Sequence, residues 1–130
     1  MIKNTLISAA ILSTLSALAM PVLAAETSIE LINNSSSNEI LINSSSTGSL
    51  LPTAPNPLYA YDTTNLVSIT AGTVDAGAFT YQSCRFNWSA IKIGSIYMFS
   101  DGATPSSDCE SQVVSQNFFT GEYSVQFKVK

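Results

Sequence analysis

The stretch "SDGATPSSDCE" sets three carboxylates, Asp101, Asp108 and Glu110, beside Cys109. Two acids at a fixed separation are enough for glycoside hydrolysis, and hard cations such as calcium take carboxylate and carbonyl oxygens from loops of this kind. The reading that needs no ligand is an Asp-Gly turn with solvated loop acids, and it is preferred here; no metal and no cofactor is required.

The second chemical candidate is the cysteine pair. Cys84 and Cys109 are the two cysteines of the chain, they form no Cys-x-x-Cys motif, and no histidine exists to generate a thiolate. A structural disulfide is therefore expected, as in exported chains that fold under oxidising conditions. The missing histidine also removes Ser-His-Asp and Cys-His designs, histidine-ligated zinc and an imidazole proton shuttle. Gly72 and Gly77 are separated by Thr-Val-Asp-Ala without a following lysine, so they do not form a phosphate loop. These exclusions point away from an enzyme.

Aromatic side chains are the third candidate. Tyr59 and Tyr61 follow a loop holding Pro52, Pro55 and Pro57, while Tyr97 lies with Trp88 and Phe99 inside the segment between the cysteines. Exposed rings could stack on a sugar or enter a membrane interface, so Tyr59, Tyr61 and Tyr97 are read as the ligand-binding aromatics. Period-two spacing assigns Phe86, Trp88, Tyr123 and Phe127 to the core instead. Asn33, Asn34, Asn43 and Asn87 stand in Asn-x-Ser patterns, read as turn chemistry rather than glycosylation in a leader of bacterial appearance.

The elements that must position these groups begin after a leader. Lys3, an apolar run from Leu6 to Leu23, and Val22-Leu23-Ala24 before Ala25 form a signal-peptide pattern over residues 1 to 24. Removing 24 of 130 residues leaves 106, the size of a single domain over residues 25 to 130. In that part four bases, Arg85, Lys92, Lys128 and Lys130, face nine acids, for a net charge of −5. So few bases argue against nucleic acid, and an anionic lipid surface would repel the chain.

Strand signals run through the whole mature chain. Tyr123, Val125, Phe127 and Val129 alternate with Ser124, Gln126, Lys128 and Lys130, which predicts one buried and one wet face. In "AFTYQSCRFNW" the aromatic parity changes between Tyr81 and Cys84, so a bulge or break is expected near Gln82-Ser83. Gly94-Ser95 reads either as a two-residue hairpin turn or as an irregularity within one strand, and Leu66 to Thr70 as a strand ended by Ala71-Gly72. The doubled words "IELINN" and "EILINS" predict a hairpin from Ile29 to Asn43, with Asn34 to Asn38 as its turn and a sheet edge as its place.

Short strands, polar turns and one staple predict an all-β fold, a small antiparallel β-sandwich, with a small β-barrel as the alternative. The Cys84, Trp88, Cys109 spacing is too short for the immunoglobulin pattern, and no family is assigned. The expected role is an exported, periplasmic or secreted, non-catalytic binding or interaction module whose partner is a protein or glycan. Two alternatives are a secreted membrane-active β-sandwich that binds lipid or sterol, and an enzyme inhibitor using Leu51 to Pro57 as a rigid loop.

Overall fold

A computed structural model describes residues 26–130, and the expected leader over residues 1 to 24 lies outside them. The described residues contain nine strands and no helix. In chain order these are β1 (Glu26–Asn33), β2 (Leu41–Ser46), β3 (Ser49–Leu51), β4 (Thr63–Ile69), β5 (Val74–Tyr81), β6 (Arg85–Ile93), β7 (Ile96–Thr104), β8 (Cys109–Gln116) and β9 (Tyr123–Val129). One sheet has five strands in the order β3-β4-β1-β9-β8, and the other has four in the order β2-β5-β6-β7. They pack as a β-sandwich. Every pairing is antiparallel except that between β1 and β9 at the centre of the five-stranded sheet, where Tyr123 lies opposite Thr27 and Val129 opposite Asn33.

Period-two patterning decides which side chains meet between the sheets. From β1 come Thr27, Ile29, Leu31 and Asn33, and from β9 Tyr123, Val125, Phe127 and Val129, all buried. The four-stranded sheet supplies Phe79, Tyr81, Phe86, Trp88 and Ala90. Phe86 stacks on Phe127 with ring centroids 5.0 Å apart, and Phe79 meets Trp88 at 5.1 Å. Gly77 lies opposite Trp88 because any Cβ there would run into the indole ring and the Ser45 carbonyl.

The parity change at Gln82-Ser83 is a break. Strand β5 ends at Tyr81, whose N–H donates to the Cys84 carbonyl at 2.7 Å, and β6 returns with Phe86 opposite Phe79. Both aromatic sets therefore face the same core from two strands. Gly94, at φ +65°, and Ser95 form the expected two-residue turn between Ile93 and Ile96.

The hairpin expected over Ile29 to Asn43 does not form. Both edges of β1 are already taken, by β4 and β9, and the second Leu-Ile-Asn belongs to β2 in the other sheet, paired with β5. Residues 34 to 40 cross between the sheets instead. Buried Asn33 holds that crossing: its Nδ2 donates to the carbonyls of Ser37 at 2.7 Å and Leu58 at 3.0 Å, and its Oδ1 accepts from the N–H and hydroxyl of Ser35. The sheet-edge expectation holds only for the second arm, since β2 is an edge strand and β1 is central.

Candidate functional site

The disulfide joins the sheets at one end of the sandwich. Cys84 leads into β6 and Cys109 opens β8, with Cα atoms 5.8 Å apart and both residues 2 % exposed. Near it, the buried Glu39 carboxylate accepts from the Ser83 N–H and hydroxyl, each at 2.8 Å, and Glu39 bridges to Leu58 through both backbone groups.

The three acids of "SDGATPSSDCE" do not converge. Asp101 lies on β7 opposite Trp88, half-buried, and accepts from the Ser111 hydroxyl at 2.6 Å and the Tyr123 hydroxyl at 3.2 Å. Burial, reinforced by the Asp101 charge, pushes the Tyr123 phenol far above its ordinary range, so it stays a donor to that carboxylate. Asp108 is exposed in the turn after Pro105, and exposed Glu110 faces Lys128 across β8 and β9. Among the described residues, no group of three or more His, Cys, Asp or Glu is placed to hold a metal ion.

The three tyrosines also separate. Tyr59 and Tyr61 stand exposed at the disulfide end, in the connection between β3 and β4. Tyr97 is 5 % exposed at the opposite end, stacked with Phe99 under the Lys92 ammonium, so its ring faces the interior rather than a ligand. The Leu51 to Pro57 segment is anchored on the body: the Asn56 side chain accepts from Leu41 N–H, and the Pro55 carbonyl accepts from the Tyr81 hydroxyl.

The end away from the disulfide groups several exposed apolar side chains. On β6, Phe86, Trp88 and Ala90 point inward, which leaves Ile91 and Ile93 on the outer face. Across the hairpin Ile91 pairs with Met98 and Ile93 with Ile96, placing four aliphatic side chains side by side. They are 38–56 % exposed, and half-buried Val74 extends the patch from β5. One row further along, the Ser89 and Ser100 hydroxyls meet at 2.8 Å and the surface turns polar.

Beside this patch the connection between β8 and β9 presents Phe118 and Phe119, 49 % and 78 % exposed. The loop is held on all sides. Asn117 Oδ1 accepts from the N–H groups of Phe119 and Thr120, the Asn117 carbonyl accepts from Gly121, and the Phe118 carbonyl accepts from Tyr97 on β7. Gly121 has φ +82°, and a Cβ there would stand 2.6 Å from the Tyr97 ring. Phe118 leans on Phe99 at 5.7 Å, whereas Phe119 projects outward.

Sequence reasoning selected neither phenylalanine and left the outer isoleucines unassigned. Both had a signal. Adjacent Phe118 and Phe119 cannot both face inward from an extended segment, and once Phe86 and Trp88 define the core parity, Ile91 and Ile93 fall on the other face. A shallow trough of about 350 Å³ on the outer face of the five-stranded sheet adjoins the same end, lined by Glu26, Ser28, Ser115, Glu122, Tyr123 and Ser124.

No protein-family model matches the chain, and no curated protein matches it. Among solved structures it is similar to the crystal structure of IP-1A from Alcaligenes faecalis, with a TM-score of 0.54 over 82 % of this chain and 91 % of that one. At 11 % identity, that likeness is one of fold.

Proposed function

We propose that the chain is an exported, non-catalytic binding module that docks on a neutral membrane interface through its apolar end. The observation that carries this reading is Phe119, 78 % exposed on a loop held by four hydrogen bonds and set beside the Ile91, Ile93, Ile96 and Met98 patch. Contiguous exposed apolar groups of this kind mark interaction surfaces. Two neighbouring connections form the end, a shape that enters a soft interface without needing a complementary groove.

Charge narrows the choice of surface. A net charge of −5 over residues 25 to 130 disfavours anionic lipid, and Lys92 is the one basic side chain at the turn end of the β6–β7 hairpin, Arg85 lying at the other end. Zwitterionic and sterol-containing bilayers impose no such repulsion. Transfer of each large apolar side chain out of water contributes about 1.5–3 kcal/mol, so a few of them give reversible binding rather than permanent insertion. The leader pattern and the disulfide support export, and the lack of histidine supports a non-catalytic role.

Flotation of the mature protein with phosphatidylcholine vesicles, with and without cholesterol, tests the reading. Recovery in the lipid fraction, abolished in Phe119→Ser and Ile93→Ser, is expected. Wild-type protein that stays with the soluble fraction for both vesicle types would overturn it.

A further inference from the structure

Asp75 is a fully buried acid without a charged partner. It lies on β5 next to Val74, where the outer apolar patch begins, and its own side chain turns into the space between the sheets. Thr27 of β1 donates its hydroxyl to Oδ2 at 2.8 Å, and Ser68 of β4 donates to Oδ1 at 2.6 Å. Those strands belong to the opposite sheet, so one carboxyl group links both layers.

This link also explains an inversion in β4. Leu66, Ser68 and Thr70 face inward while Val67 and Ile69 face outward, although the isoleucine would fill a core better than a serine. The hydroxyl of Ser68 is needed at Asp75. Trp88 from β6 completes the surroundings, and its buried indole N–H, which lacks a partner in hydrogen-bonding geometry, still favours the charged form of this carboxyl. Among the described residues no charged group faces Asp75 from β1, β4 or β6; the nearest along those strands, Glu26 and Lys92, are exposed.

We propose that Asp75 is a protonation-controlled latch between the two sheets, closed when the carboxyl is neutral and loosened when it ionises. In the neutral acid one of the two hydroxyls turns to accept the carboxyl proton while the other keeps donating, so both links persist with no buried charge. Ionisation leaves a carboxylate in a low-dielectric layer with hydroxyl donors but no cation, a state that draws water between β5 and β1.

Burial is the dominant influence and raises the Asp75 pKa, against smaller lowering by Ser68, Thr27 and Trp88. A carboxyl whose pKa is raised by folding stabilises fully below the ordinary carboxylate range, and that contribution is lost as pH rises through the folded-state value. This group therefore contributes most to stability in mild acid. The latch is a property of the fold and stands whether or not the apolar end docks on lipid.

Thermal unfolding of wild type and Asp75→Asn between about pH 4 and about pH 8 gives the first test, with hydrogen exchange at Thr27, Ser68 and Asp75 as the local readout. Wild type is expected to lose several degrees more melting temperature toward the upper limit than Asp75→Asn, and to show falling protection factors at these three amides, corrected for the pH dependence of intrinsic exchange, where those of the variant stay constant. Equal pH slopes in the two proteins would overturn the latch. Should the variant not fold, carboxyl-carbon NMR of wild type decides: Asp75 titrating above the ordinary carboxylate range supports the proposal, and titration within that range overturns it.

Discussion

The two ends of the sandwich are built around the same device and use it in opposite ways. At the disulfide end Asn33 organises the crossing segment and draws in the Leu58 carbonyl, and the Leu58 side chain is buried at 1 % exposure. At the other end Asn117 organises a turn of similar size, and the side chain presented there, Phe119, is 78 % exposed. Both loops are pinned, so the difference is not one of order. One asparagine closes an end and the other displays a ring, which marks the second end as the one suited to meeting something else.

Covalent closure supplies the largest expected contrast. Replacing Cys84 and Cys109 by serine opens a link with a sequence separation of 25 residues. In the chain-entropy treatment this costs about 3.5 kcal/mol. Denaturant unfolding of the double variant should show that loss, while vesicle flotation under native conditions persists. Lost flotation in a folded double variant would mean that the two ends are not independent.

Asn33→Ala comes next. It strips hydrogen bonds from the Leu58 and Ser37 carbonyls and from Ser35, at a side chain with 0 % exposure. An expected loss of about 2–3 kcal/mol follows from removing several hydrogen bonds of about 1 kcal/mol each made by a fully buried amide, although the Leu58 carbonyl keeps the Glu39 N–H. Asn117→Ala removes only two exposed turn bonds, so a cost of about 1 kcal/mol or less is expected. A sharper effect is expected on docking, because Phe119 is no longer held outward. Equal stability losses for the two asparagine variants, measured by urea midpoint, would erase the distinction between the ends.

What could be read from the chain alone follows the same division. Elements whose signal is local were legible: the alternation of Tyr123 to Val129, the break at Gln82-Ser83 and the Gly94-Ser95 turn each depend on neighbours within a few residues. Pairings decided at long range were not. "IELINN" and "EILINS" are similar as words, yet β1 is claimed by β9, nearly a hundred residues away, and β2 by β5. The inward Ser68 was hidden for a different reason: its partner Asp75 is only seven residues away, but the two lie on strands of opposite sheets. Tyr97 looked like Tyr59 and Tyr61 by residue type, but inward parity on β7 buries it.

The candidate end was half legible. Isoleucine parity on β6 follows from the Phe86 and Trp88 stripe, whereas the approach of Phe118 to Tyr97 and Phe99 joins the β8–β9 connection to strand β7, with all of β8 between them in sequence. Phe119→Ser isolates that end with the smallest cost to the fold. Its ring makes none of the close aromatic pairings of the core, and the Asn117 hydrogen bonds to this loop use backbone N–H groups that serine retains. A stability change within about 0.5 kcal/mol is expected, as for other surface substitutions away from buried contacts. Removing the ring forfeits about 2 kcal/mol of transfer free energy at an interface, enough to weaken vesicle binding more than tenfold. Unchanged flotation with unchanged stability would show that the exposed ring is no docking group, and the contrast between Asn33 and Asn117 would then be one of loop geometry alone.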